Sequence, residues 1–64
     1  MEYTNSDIAR RIAEHIHSER DRRILLRRYV DGITLERLAE EFDMSVGGIK
    51  LVLRRCRAAL FENN

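Results

Sequence analysis

A chain of 64 residues has room for one domain, and at this size only about 60% of the unfolded surface is buried, so the core must be economical. A composition 44% hydrophobic and 36% charged, without proline, is too apolar for a disordered tail and too charged for a membrane span. The single Cys56 excludes an internal disulfide framework and, with no clustered histidine or cysteine, offers no metal site, while a net charge of +1 does not by itself announce a nucleic-acid partner.

In chain order, Thr4-x-x-Asp7 is a helix-start signal, and Ile8, Ile12 and Ile16 follow at fourfold spacing with Ala9 and Ala13 beside them. Ser18-x-x-Asp21 repeats the signal. A second apolar set of Leu25, Leu26, Tyr29 and Val30 follows it, with Arg22, Arg23, Arg27 and Arg28 on the wet side. Asp31-Gly32 ends that helix, glycine suiting the left-handed position just past a C-terminus. Thr34 caps a short third helix whose Leu35, Leu38, Ala39 and Phe42 fall at i, i+3, i+4 and i+7. Asp43-Met44-Ser45 makes the next turn, and Ser45 caps a last helix running to about Phe61. The expectation is an all-α fold of three to four short helices in one unit, 1–64, ending in a helix-turn-helix.

Charge is segregated along the chain. Glu36, Glu40, Glu41 and Asp43 crowd the third helix, whereas Met44 to Phe61 carries Lys50, Arg54, Arg55 and Arg57 and no acid. At about 100° per residue, Leu53, Cys56 and Leu60 lie close to Ile49 and Val52 not far off, so that side is core. Gly47, Leu51, Arg54 and Ala58 point the other way, flanked by Lys50 and Arg55. Ala39 is the small residue that lets two helices cross closely, and Gly47-Gly48 leaves little side chain to hold the helix start away from a groove. A helix with one apolar and one basic face is also what a solvated surface helix looks like; the joint pattern favours a DNA reader.

The stretch Arg28 to Ser45, with its arginine-tyrosine, Asp31-Gly32, Thr34, Leu38-Ala39 and Ser45, resembles region 4 of bacterial sigma factors, especially the extracytoplasmic-function type. Val46-Gly47-Gly48-Ile49-Lys50 and Leu53 to Leu60 are similar to that family's recognition helix, so the likeness covers roughly 16–61. It implies a DNA-binding transcription regulator that inserts the helix from about 45 to 61 into the major groove of double-stranded DNA, with the RNA polymerase flap as a second partner. By position, Lys50, Leu51, Arg54 and Arg55 meet DNA, and Thr34, Ser45 and Gly47 sit near phosphates. The domain that clamps the polymerase core is not in this sequence, which points to a stand-alone regulator.

Other readings stay open. The chain could mimic region 4 as a protein-interaction module on polymerase or a sigma antagonist, which the low net charge favours. A LuxR-type response-regulator domain has a similar layout and dimerises through its last helix; Leu51 and Phe61 would suit a homodimer or partner surface as well as a thymine methyl. His15 and His17, two apart on a helix, face different ways and read as ordinary surface or boundary residues. No nucleophile with a base and no phosphate loop appears, so catalysis, cofactor and membrane roles are not expected, and no apolar leader routes the chain from the cytoplasm.

Overall fold

The computed structural model describes residues 3–62, so both ends of the expected 1–64 unit lie outside the described residues. Four α-helices follow one another: α1 Asn5–His15, α2 Glu19–Tyr29, α3 Leu35–Glu41 and α4 Val46–Arg57, which runs on into a π-helical turn, Ala58–Glu62. Among the described residues there is no strand and no helix long and apolar enough to cross a membrane.

Each α-helix starts on a hydroxyl, because the first N–H groups of a helix have no partner within it. Thr4 Oγ1 accepts from the Asp7 N–H at 3.1 Å and the Asp7 carboxylate accepts from the Thr4 N–H at 3.3 Å, a complete capping box. These bonds from Thr4 hold the Asp7 carboxyl below the usual carboxylate range. Ser18 Oγ accepts from the Asp21 N–H at 3.2 Å, Thr34 Oγ1 from Arg37 N–H at 3.2 Å and Ser45 Oγ from Gly48 N–H at 3.0 Å.

The stops are equally local. Gly32, at φ 73°, turns the chain after α2. After α3 the left-handed residue is Asp43, at φ 54°, as aspartate can be. The Met44 N–H reaches back to the Ala39 carbonyl at 2.9 Å and the Asp43 N–H to Glu40 at 3.3 Å, a Schellman closure that fixes the turn between α3 and α4.

The core joins all four helices: Ile12, Ile16, Ile24, Leu25, Leu38, Ala39, Ile49, Val52, Cys56 and Leu60 are buried. Ala39 is one of the two buried residues of α3, which packs on both α4 and α2. Burial, with the Asp21 carboxylate adding to it, pushes the Cys56 thiol up, so it packs as a small hydrophobe.

Two expectations need correction. In α2 the buried residues are Asp21, Ile24 and Leu25; Leu26 and Tyr29 pack half-buried against the core and Val30 is half-buried, so the centre of the inward face is rotated by about one residue, roughly 100°, from the expected set. Asp21 disguised it: the carboxylate is buried but paired with Arg20 at 3.1 Å, which a sequence pattern scores as surface. Arg22 and Arg28 are correspondingly half-buried rather than wet.

The second correction is at the C-terminus. The last helix is not α-helical to Phe61, and Phe61 is half-buried against the core rather than turned outward. An α-helix would set Phe61 about 120° from Ile49. The π turn advances less per residue and swings the ring inward, edge-on to Tyr29 at 5.9 Å and tilted on Tyr3 at 5.3 Å. Arg11 locks this end: Nε donates to the Leu60 carbonyl at 2.6 Å and its guanidinium lies 5.1 Å from the Tyr3 ring.

Candidate nucleic-acid interface

Helix α4 presents to solvent the stripe opposite its buried Ile49, Val52 and Cys56. Gly47, Lys50, Leu51, Arg54 and Arg55 are all exposed and share this outer side, so five of the residues singled out from sequence come together. Thr34 and Ser45 stand apart from them as the exposed caps of α3 and α4. Each hydroxyl uses an oxygen lone pair on its own helix, leaving the O–H available to donate outward.

The two glycines at the start of α4 differ. A Cβ on Gly48 would come within 3.3 Å of Met44 Cε and Ser45 Oγ, so glycine there lets the turn close on the helix. A Cβ on Gly47 would meet only Ser45 Oγ, at 3.9 Å, so nothing in the fold demands glycine at that exposed position.

The cations divide by location. In the α1–α2 half, Arg10, Arg20 and Arg23 pair with carboxylates, Arg27 pairs with both Asp31 and Glu41, and Arg11, Arg22 and Arg28 donate to main-chain carbonyls. The hydrogen bond from Arg27 holds the Glu41 carboxyl below its usual range. Among the described residues, Arg37, Lys50, Arg54, Arg55 and Arg57 make no ion pair or side-chain hydrogen bond, and all belong to α3 and α4. Arg22, Arg23, Arg27 and Arg28 thus all have internal acceptors.

An open cleft of about 370 Å³ borders this face, where the end of α2 and the start of α3 meet α4. Arg57 on its rim and Leu35 on its floor were not among the expected site residues. Arg57 could have been found from Lys50, Arg54 and Arg57 at i, i+4 and i+7; Leu35 belongs to another element and carries no such signal.

Residues 18–62 match the family described as Sigma-70, region 4. The chain belongs to the sigma-70 region 4 family. Neither curated proteins nor solved structures gave a match. Region 4 is a DNA-binding helix-turn-helix domain of transcription, not a catalytic one, and region 4 domains bind both DNA and RNA polymerase. The matched residues take in α2, α3, α4 and the π turn, and α1 precedes them.

Proposed function

We propose that this chain is a sequence-specific transcription regulator that inserts α4, from its Ser45 cap to the π turn, into the major groove of double-stranded DNA. One observation carries the reading: the outer stripe of α4 holds Lys50, Arg54 and Arg55, exposed and without an internal partner among the described residues. In this reading Arg54 and Arg55 address guanine edges, Leu51 a thymine methyl, and Lys50 a base or phosphate. Thr34 and Ser45 donate to phosphates at the helix starts, and Gly47 lets the backbone come close. The arginine-tyrosine and Asp31-Gly32 pattern allies the chain with the extracytoplasmic-function type, acting in the cytoplasm. Selection from a random duplex pool followed by a salt titration tests it. A recovered consensus whose log K falls linearly with log salt, by about 0.9 per phosphate contacted, supports it; no enrichment and no salt slope refutes it.

A second reading has its own support in Leu51, the large hydrophobic left 43% exposed among the described residues, on a chain of net charge +1. That patch suits docking on the polymerase flap, a sigma antagonist or a second copy of the chain. Flap docking would complement weak DNA contacts, since avidity can exceed either contact by about 10² to 10⁴. Pull-down of the isolated flap, with sedimentation of the chain alone, separates these partners.

A further inference from the structure

The cleft beside α4 has a composition that phosphate binding alone does not call for. Its floor is apolar: Tyr29, Leu35 and Leu53, all half-buried. Its rim is cationic: Arg28, Lys50, Arg54 and Arg57, with no carboxylate among the lining residues. Three of the rim cations, Lys50, Arg54 and Arg57, are exposed and lack any internal partner among the described residues. A DNA backbone would satisfy the rim and leave the leucines in contact with water or sugar. A ligand that satisfies both carries carboxylates around an aliphatic side chain.

We infer that this cleft is a docking site for an acidic segment of a partner protein, one leucine-like side chain seated on Leu35 and Leu53 with flanking aspartates or glutamates on the rim. The cleft is open and holds only a few side chains, so the anchor is a single residue and the charges set its orientation. Lys50 and Arg54 also belong to the proposed DNA face, so peptide and duplex exclude one another there. That exclusion rests on the DNA-binding reading; the docking does not.

The probe is a short synthetic peptide of aspartate and glutamate around one leucine, added to the full chain while the methyl resonances of Leu35 and Leu53 are followed. The expected result is saturable shifts of those methyls, at least tenfold weaker binding when the peptide's leucine is replaced by alanine, and loss of binding in R57E. Arg57 is exposed, so a thermal melt of R57E should match that of the parent. Equal binding by the leucine and alanine peptides would overturn the proposal, leaving a diffuse ionic attraction. So would methyls that shift with duplex DNA and not with peptide, which would make the cleft part of the DNA footprint. Displacement of labelled duplex by the peptide supports mutual exclusion. A chain that binds peptide but no duplex would refute the DNA reading and leave the docking site standing.

Discussion

Arginine does two different jobs in the two halves of this molecule. In α1 and α2 it is a building material: Arg11, Arg22 and Arg28 close the carbonyls of Leu60, Ile16 and Ile33, at helix ends and in a loop where no main-chain donor is at hand. Each such bond joins a charged donor to a half-buried carbonyl, a charge-assisted hydrogen bond stronger than one between neutral groups. In α3 and α4 the same side chain is held in reserve, exposed and unpaired among the described residues. Residue counts cannot separate these uses. A net charge of +1 averages a neutralised half with one whose last helix carries four cations and no acid, and a ligand meets that local field rather than the average.

Substitution should therefore split the arginines cleanly. The largest effect on the fold is expected from Arg11→Ala, which strands the Leu60 carbonyl and releases the π turn, at a cost of about 1.5 to 3 kcal/mol in urea denaturation. The DNA affinity of the folded fraction should barely change. Arg54→Ala should do the reverse, weakening binding to a selected duplex by about 1 to 3 kcal/mol while the melting curve stays put. If Arg54→Ala unfolds the chain, or Arg11→Ala leaves it untouched, the division is wrong.

Gly47→Ala sharpens the contrast without touching charge. Because nothing crowds a Cβ there, alanine should raise stability by about 0.5 to 1 kcal/mol, glycine being a poor residue inside a helix. Close approach of backbone to DNA would then make the more stable protein the weaker binder, measurable by pairing a melt with a binding isotherm. Gains in both would mean the helix start stands off from the groove.

The smallest effect concerns acid. Asp7 and Glu41 both have carboxyls depressed in the folded state, by the Thr4 cap and by Arg27 respectively. A depressed folded value means stability that is present above the ordinary carboxylate range and lost as pH falls through the depressed values. Melting temperature should thus slide below about pH 4, and the slide should be shallower in Asp7→Asn and Glu41→Gln than in the parent. Because both groups are well solvated the effect is small, and identical slopes in the variants would remove these two carboxylates as its source.

What could be read from sequence here is what residues settle within a turn of themselves. Thr4, Ser18, Thr34 and Ser45 cap helices through bonds to the third residue on, so their roles are written locally. The outer stripe of α4 follows from its own periodicity, and so do its five expected site residues. Most of the misses depend on partners more than a turn away. Ile24 was hidden because the neighbouring core position holds Asp21, a carboxylate that is buried while paired with Arg20 and that a hydropathy pattern scores as surface. Arg22 and Arg28 look wet until the carbonyls they serve are known. Phe61 could not be turned inward without Tyr3 and Tyr29, far off in sequence.

The π turn at the end of α4 makes one helix obey two clocks. An α-helix transmits angular phase along its length, so rotating its reading face toward DNA would normally rotate its far end out of the core. A wider turn at Ala58–Glu62 breaks that transmission: upstream, the phase is set by Ile49, Val52 and Cys56, and downstream by Leu60 and Phe61 against α1 and α2. The exposed stripe can thus vary in sequence without disturbing that anchor. Residues that hold the domain together and residues on its exposed stripe are free to change on separate schedules.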